Sequence, residues 1–263
     1  MNRIDKKFKE LKIGRKKAFV AFITAGDPDL KTTEKLVLEF EKSGVDLIEL
    51  GVPFSDPLAD GPTIQAASFR ALKKKVTLKK IFELVRCIRR KSQIPICLMG
   101  YYNPVFHFGE EKFIKEASRF GVDGVIIPDL PPEEAGRLIS AAQKYNVATI
   151  FFLSPTTTKK RAEKVIRASS GFIYYVSLAG VTGTRKALPK TIIKNVRAAK
   201  QLTNKPICVG FGVSNPSQVK LIGTIADGVI VGSAIVKEIE RNAGKKDLVK
   251  NVSRFVKKLA VSL

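Results

Sequence analysis

Short apolar runs alternate with amphipathic segments along the chain from Ala18 onward. Eight of these runs are continuously apolar, a pattern typical of parallel strands that are covered on both faces. Amphipathic segments such as Leu78–Arg89, preceded by the favourable N-cap residue Thr77, predict the helices between them. The alternation therefore predicts repeated βα units. The eight predicted strands are Ala18–Thr24, Asp46–Leu50, Ile94–Met99, Gly124–Ile127, Ala148–Leu153, Phe172–Ser177, Pro206–Gly210 and Gly228–Val231.

A closed (β/α)8 barrel and an open doubly wound sheet both contain such units, and the turns after the last two predicted strands distinguish them. Both turns are rich in glycine, at Gly210–Ser214 and Gly232–Ala234. In barrels the loops after strands seven and eight bind phosphate through backbone N–H groups and a helix N-terminus, and glycine lets the backbone approach the anion closely. Ordinary βα turns that need a positive φ remain the alternative. We predict an α/β protein, a (β/α)8 TIM barrel, with one domain over residues 1–263.

The two ends of the chain complete this architecture. Ile4, Phe8 and Leu11 fall on one helical face, so we expect an extra N-terminal helix that closes the bottom of the barrel. A last helix around Lys246–Leu259 would complete the outer ring. Two glycines are expected to end helices in the left-handed conformation, each followed two residues later by an aspartate that begins the turn into a strand, at Gly44 and Gly121.

The formal net charge of +23 is the unusual feature of the composition. Such a charge raises the hypothesis of nucleic-acid or anionic-membrane binding. However, lysine and arginine are spread over nearly every predicted helix, and they do not form one stripe interleaved with aromatic side chains. We interpret the charge as a solvated basic surface, which would still attract phosphorylated substrates and an acidic partner at low salt.

The absence of long apolar segments and the spacing of the cysteines indicate where the protein works and which state its thiols take. No apolar run approaches the roughly 18 residues of a membrane span, and the N-terminus has no apolar signal-peptide core. We therefore expect a soluble, cytoplasmic protein with neither a membrane nor a nucleic acid as its partner. The cysteines Cys87, Cys97 and Cys208 are odd in number and widely spaced, which predicts reduced thiols and neither a disulfide framework nor a metal site.

Polar residues at the carboxyl ends of strands are the candidates for chemistry, because barrel active sites lie there. Glu49 lies one residue from the end of an otherwise apolar strand, where a lone carboxylate is costly unless it has a catalytic role or a charged partner. The long loop Gly51–Pro62 follows and carries Asp56 and Asp60, although aspartates beside proline or glycine also simply form turns. Asp129, which precedes Pro131-Pro132, fits a helix cap better than a catalytic group.

Several kinds of catalysis are disfavoured by the same pattern. The lysine nearest to a strand, Lys205, precedes the seventh strand and so lies at the wrong end for Schiff-base chemistry. His107 is the only histidine, which argues against a metal centre and against histidine-dependent nucleophiles. No GxGxxG fingerprint follows the first strand. The remaining possibility is general acid–base catalysis by carboxylates on a phosphorylated ligand, aided by a tyrosine.

The segment from Glu49 to Pro62, Glu-Leu-Gly-Val-Pro-Phe-Ser-Asp-Pro-Leu-Ala-Asp-Gly-Pro, resembles the signature of the tryptophan synthase α subunit family. The resemblance extends over nearly the whole chain. It implies cleavage of indole-3-glycerol phosphate to indole and glyceraldehyde 3-phosphate, with no cofactor in this chain, and transfer of indole to a pyridoxal-phosphate β subunit in an α2β2 heterotetramer. Further similar segments are Phe22–Pro28, Gly100–Pro104, Pro128–Pro131, Ser177–Gly183 and Gly210–Ser214.

The resemblance also implies roles for individual residues. Glu49 would protonate the indole ring carbon and take the proton of the glycerol hydroxyl. Asp60 would hold the ring N–H and stabilise its developing positive charge, and Tyr174 would lie beside Glu49. The implied phosphate contacts are Gly183, Gly212, Gly232 and Ser233; the implied indole pocket is Phe22, Met99, Ile126, Phe152 and Phe211.

A mobile lid and a partner contact follow from the same resemblance. The segment Val181–Pro189 resembles the lid of the family, in which Thr182 would meet Asp60 on closure. Leu178 stands where some members have arginine, so a lid contact that depends on that charge is not expected here unless Arg185 supplies it. Positions at the β-subunit contact are matched by Pro53 and Asp56.

Three alternatives to this function stay open from the sequence. One is a stand-alone indole-3-glycerol-phosphate lyase. Another is a different phosphate-binding barrel of indole or histidine biosynthesis, which would usually place a lysine or a further acid at a strand end. The third is a basic interaction module that binds nucleic acid, for which retention on DNA or RNA near physiological salt is the discriminating test.

Overall fold

A closed ring of parallel strands forms the centre of the protein. The computed structural model describes residues 1–176, 190–210 and 212–263. Every observed strand pairing is parallel, in the order β5-β4-β3-β2-β1-β9-β8-β7-β6. The strands are β1 (Ala18–Thr24), β2 (Leu47–Gly51), β3 (Ile96–Met99), β4 (Gly124–Ile126), β5 (Ala148–Ile150), β6 (Phe152–Leu153), β7 (Ile173–Val176), β8 (Ile207–Gly210) and β9 (Gly228–Val231).

The ring closes through a single residue, Phe151, which separates β5 from β6 at the two ends of the strand order. β5 pairs with β4, whereas β6 pairs with β7, and the backbone N–H of Tyr174 donates to the carbonyl of Phe151 at 3.1 Å. The predicted fifth strand is thus divided into two short segments with different neighbours. This closure confirms the (β/α)8 barrel and excludes the open doubly wound sheet.

Some strand bounds differ from the prediction by one or two residues. The third and seventh predicted strands begin late, at Ile96 and Ile207, because Pro95 and Pro206 have no N–H to donate to the ladder. Ser177, the predicted end of the sixth strand, lies outside the described residues.

Helices surround the ring, one or two after most strands. Thr77 caps α4 as predicted, because its hydroxyl accepts from the backbone N–H of Lys80 at 3.4 Å. The predicted turn glycines are confirmed too, with φ of 93° at Gly44 and 94° at Gly121. The helices are α1 (Arg3–Ile13), α2 (Leu30–Lys42), α3 (Pro62–Lys73), α4 (Leu78–Arg89), α5 (Tyr102–Phe108), α6 (Glu110–Phe120), α7 (Gly136–Lys144), α8 (Lys159–Ala168), α9 (Lys190–Gln201), α10 (Pro216–Gly223), α11 (Ser233–Asn242) and α12 (Leu248–Ala260).

The apolar core has two layers, one between the strands and the helices and one inside the barrel. The inner layer includes Ile4, Phe8 and Leu11 of α1, which confirms that this helix closes the bottom of the barrel. The rings of Phe8 and Phe172 lie 5.9 Å apart. The end of the barrel opposite to the candidate site is therefore filled with apolar side chains.

Three aspartates tie neighbouring strands together at this same end. Asp46, Asp123 and Asp227 each lie directly before a strand. Their carboxylates also accept a backbone N–H from the neighbouring strand, at 2.9 to 3.0 Å. Polar residues at the amino ends of barrel strands support stability, so the chemistry is expected at the other end. No helix in the described ranges is both long and apolar enough to cross a membrane.

Candidate active site

A narrow pocket opens at the carboxyl ends of β1, β2 and β3. Its wall is completed by the loop that follows β2 and by the first two turns of α3, as barrel geometry requires for residues that follow the strands. Two of the lining residues, Asp60 and Tyr101, carry ionisable side chains. The residues that line the pocket are Phe22, Thr24, Gly51, Val52, Asp60, Ile64, Ser68, Met99, Gly100, Tyr101 and Pro128.

Glu49 lies on β2 inside the barrel, between Phe22 of β1 and Cys97 of β3 in the strand register. Its side chain is fully buried, and neither carboxylate oxygen has a hydrogen-bond partner among the described groups. Burial raises the pKa of Glu49 to about 8, because a charged carboxylate is costly away from water. The side chain is therefore mostly a neutral acid at pH 7.

Asp60 lies in the loop between β2 and α3, and burial raises its pKa to about 6. The hydroxyl of Tyr101 donates to Oδ2 of Asp60 at 3.0 Å, which favours the ionised form and limits this rise. The same hydroxyl accepts from the backbone N–H of Ala59 at 2.9 Å. The ring of Tyr101 also stacks on Phe54, with the centroids 5.4 Å apart. Tyr101 therefore holds the loop that carries Asp60.

Tyr174 of β7 faces the interior beside Phe152, whose ring centroid is 4.9 Å away. Burial, and secondly the negative charge of Glu49, raise the pKa of Tyr174 well above its usual value. The hydroxyl therefore stays protonated and can donate. Gly210 leaves room for it, since a Cβ at this position would lie 2.5 Å from the Tyr174 hydroxyl oxygen.

The two predicted phosphate turns reach the same end of the barrel. Gly232 is the N-cap of α11 and Ser233 is its first residue, so backbone N–H groups of the first turn are available to an anion. A Cβ on Gly232 would lie 3.4 Å from the side chain of Phe22, which places this turn next to the pocket. Gly212 has a φ of 57°, a conformation that favours glycine.

The remaining predicted residues divide into three groups. Ile126 is fully buried inside the barrel and does not line the pocket, whereas Phe152 is partly buried against the same interior cluster. Of the predicted partner contacts, Pro53 is buried and Asp56 is exposed. The third group lies outside the described residues. It comprises the predicted lid Val181–Pro189 with Thr182 and Arg185, together with Leu178, the phosphate contact Gly183 and the indole-pocket residue Phe211.

The interpretation of Asp129 as a helix cap is confirmed, with one difference. Its carboxylate oxygens accept from the backbone N–H of Tyr102 at 2.9 and 3.1 Å. Asp129 therefore caps α5, the helix of the preceding βα unit, because the ring brings the ends of neighbouring strands together. Within the described ranges no three His, Cys, Asp or Glu side chains are grouped to hold a metal ion.

Two residues of the pocket, Tyr101 and Thr24, had no role assigned from the sequence. Thr24 is the last residue of β1 and Tyr101 lies two residues after the end of β3, and both are polar. This position is the only signal that could have identified them. Thr24 is 1% exposed, and its hydroxyl has no hydrogen-bond partner among the described groups.

Comparison with known sequences places the chain among close relatives. A family model described as Tryptophan synthase alpha chain matches residues 8–263. The tryptophan synthase alpha chain of Geotalea daltonii is 53% identical over 246 residues, which cover 94% of this chain and 93% of that protein. The corresponding chain of Geobacter sulfurreducens is 50% identical over 259 residues, 98% of both.

Solved structures agree with these relatives over the whole fold. Tryptophan synthase subunit alpha from Legionella pneumophila superposes with a TM-score of 0.93 at 38% identity, covering 100% of this chain and 98% of that one. A chain of the tryptophan synthase α2β2 complex from Pyrococcus furiosus gives a TM-score of 0.85 at 38% identity, covering 92% and 97%. The chain belongs to the tryptophan synthase alpha chain family.

Proposed function

We propose that this chain cleaves indole-3-glycerol phosphate to indole and glyceraldehyde 3-phosphate. As a tryptophan synthase alpha chain it is a carbon–carbon lyase of tryptophan biosynthesis. The observation that carries the assignment of roles is the difference between the two carboxyl groups at one end of the barrel. Burial gives Glu49 a pKa of about 8 and Asp60 a pKa of about 6. Two carboxyl groups whose pKa values are separated in this way can act as an acid and as an anion at the same pH.

Glu49 acts first as the acid. Its proton goes to the ring carbon that bears the glycerol chain, and the ring nitrogen takes up the positive charge. Asp60, ionised above about pH 6, accepts the ring N–H and stabilises that charge. The Glu49 carboxylate then takes the proton of the adjacent glycerol hydroxyl. The carbon–carbon bond breaks, its electron pair returns to the ring, and the hydroxyl carbon becomes the aldehyde of glyceraldehyde 3-phosphate.

Tyr174 assists this cycle as a donor that stays protonated. The charge that Glu49 acquires after it gives up its proton would be costly in the barrel interior, because the described groups offer it no hydrogen bond. We assign to the Tyr174 hydroxyl, whose raised pKa keeps it protonated, the stabilisation of this anion or of the glycerol hydroxyl beside it.

The phosphate and the indole ring of the substrate bind to different groups of residues at the carboxyl end of the barrel. The phosphate is held by backbone N–H groups at Gly183, Gly212, Gly232 and Ser233, and the high net charge of +23 favours the approach of an anion. The indole ring lies among apolar side chains, with Thr182 closing over Asp60. These side chains are Phe22, Met99, Ile126, Phe152 and Phe211.

The expected partner is a β subunit that carries pyridoxal phosphate, with this barrel, residues 1–263, as the cytoplasmic α subunit of an α2β2 heterotetramer. The similarity to a chain of the α2β2 complex of Pyrococcus furiosus supports this assembly. Asp56 is exposed on the loop after β2 and can contact the partner directly. Pro53 is buried, so it would act by shaping that loop.

Release of indole from indole-3-glycerol phosphate, measured for the purified chain alone and with a β subunit, tests the proposal. We expect indole release by the chain alone and faster release with the partner. Full activity without any gain on adding a β subunit would indicate a stand-alone lyase. No indole release under either condition would overturn the proposed function.

A further inference from the structure

Thr24 ends β1 with its side chain in the pocket, on the same face of the strand as Val20 and Phe22. The side chain is 1% exposed, yet the hydroxyl oxygen has no hydrogen-bond partner among the described groups. Within residues 1–176, 190–210 and 212–263, the other buried polar group inside the barrel that lacks a partner is the carboxyl group of Glu49. Thr24 shares the pocket with Asp60, whereas Glu49 lies at the level of Phe22 in the strand register, two residues before the level of Thr24.

Other buried threonines in this fold do have hydrogen-bond partners. The hydroxyl of Thr33 donates to the carbonyl of Asp29 at 2.9 Å and accepts from the N–H of Gly26 at 3.0 Å. The hydroxyl of Thr149 donates to the carbonyl of Ala168 at 2.9 Å. Because a buried hydroxyl without a partner destabilises a protein, valine at position 24 would suit the fold better than threonine. The fold alone therefore does not explain the Thr24 hydroxyl.

The surroundings of Thr24 indicate what could supply the missing hydrogen bond. Apolar side chains of Phe22, Ile64 and Met99 line the pocket together with the carboxyl group of Asp60. Tyr101 already occupies Oδ2 of Asp60. These apolar walls suit a planar aromatic ligand, and a polar hydrogen at the edge of such a ligand could be shared by Asp60 and the free hydroxyl.

We propose that Thr24 is a specificity-determining residue whose hydroxyl accepts, together with Asp60, the ring N–H of the substrate in a three-centre hydrogen bond. The identity of the ring rests on the proposed function. A pocket that hydrogen-bonds a ligand group discriminates against the analogue that lacks it, because the protein group is then left unpaired. Thr24 should therefore contribute to the preference for indole over benzofuran, in which oxygen replaces the N–H.

The test compares binding of indole and of benzofuran to the wild-type chain, Thr24→Val and Thr24→Ser. Because the chain contains no tryptophan, indole fluorescence reports its own binding, and calorimetry measures benzofuran. For Thr24→Val we expect an unchanged or higher melting temperature, indole affinity lower by about 3- to 10-fold, and benzofuran affinity within about twofold of wild type. Thr24→Ser keeps the hydroxyl and should bind indole within about threefold of wild type.

Ser253→Ala is the matched control. Ser253 of α12 also carries a buried hydroxyl without a described partner, at 7% exposure, but it does not line the pocket. Its removal should leave the affinities for both probes unchanged.

Two results would overturn the proposal. A lower melting temperature of Thr24→Val with equal losses for both probes would show a packing role, and unchanged binding of both would show a hydroxyl that contacts no ligand. These failures are distinct from failure of the lyase assignment, which would appear as a wild-type chain that releases no indole from indole-3-glycerol phosphate.

Discussion

The Tyr101 hydroxyl lies 3.0 Å from Oδ2 of Asp60 and donates to it. This bond joins the end of β3 to the loop after β2, and the same hydroxyl accepts from the N–H of Ala59. Burial raises the pKa of Tyr101, so the group stays a donor over the physiological range. One tyrosine therefore fixes both the position and the charge of the carboxylate to which we assign the ring N–H.

Tyr101→Phe is expected to raise the pKa of Asp60 above about 6, because the hydrogen bond that favours its ionised form is lost. The acid limb of the kcat/KM profile should move to higher pH, and kcat/KM at pH 7 should fall about 10-fold. Steady-state kinetics between pH 5 and pH 9 measure both effects. Tyr102→Phe, one residue along, is the control that leaves the Asp60 bond in place. A Tyr101→Phe profile that superimposes on the wild type would refute the positioning role.

Glu49→Gln should abolish cleavage with the fold intact, because glutamine keeps the volume and cannot transfer the proton. We expect kcat to fall by at least about 10²-fold, the lower range for loss of a general acid–base group. Binding of indole should change little, since the ring N–H is assigned to Asp60. Indole release, with circular dichroism as the control for folding, provides the measurement. Turnover near the wild-type rate would show that Glu49 is not the acid.

The stability of the protein should depend on pH through Glu49. Its pKa is raised from 4.5 to about 8 in the folded state, so the folded state binds the proton more tightly than the unfolded state. The contribution of protonated Glu49 to the free energy of unfolding is fully present below about pH 4.5 and is lost as the pH rises through about 8. Between these pH values the free energy of unfolding falls by about 1.4 kcal/mol per pH unit.

Urea unfolding of the wild type and of Glu49→Gln at pH 5, 6.5 and 8 isolates this effect. The free energy of unfolding of the variant relative to wild type should increase with pH. A difference that is constant with pH would mean that Glu49 titrates normally in the folded protein.

Asp60→Asn should reduce kcat/KM by at least about 10²-fold, because a neutral amide stabilises the developing positive charge poorly. The same substitution removes the group whose pKa is about 6. Residual activity should therefore lose the acid limb of the pH profile near that value. An acid limb that persists in Asp60→Asn would assign the titration to another group.

Arg70→Met should destabilise the protein by about 3–5 kcal/mol. Arg70 of α3 holds the buried carboxylate of Asp27 with two bonds of 2.8 Å, and its third contact is Glu240 of α11 at 2.7 Å. Removing the guanidinium leaves the buried carboxyl group of Asp27 without this partner. Lys144→Met, which breaks the exposed pair with Glu111, is the control and should leave stability unchanged. Equal, small effects of the two substitutions in urea unfolding would contradict the buried role.

The positions of the strands and the closure of the barrel could be predicted because they depend on local patterns. Continuous apolar runs identify buried strands whatever their neighbours, and glycine-rich turns after the last two strands indicate a barrel. The division of the fifth strand at Phe151 was missed, since it depends on which strand each half meets. Asp129 was expected to cap a helix, but only the closed barrel shows that this helix is α5, because it brings the end of β4 beside the start of α5.

Some features of the candidate site could also be predicted from the sequence, whereas others depend on the tertiary structure. Glu49 could be selected from the sequence because a carboxylate in an apolar strand stands out against its neighbours. Its raised pKa, the bond from Tyr101 to Asp60 and the unpaired hydroxyl of Thr24 could not, because each depends on residues distant in sequence. Local order follows from side-chain type and spacing along the chain. Burial and hydrogen-bond partners are set by the packed assembly, and they decide which of the polar residues can transfer a proton.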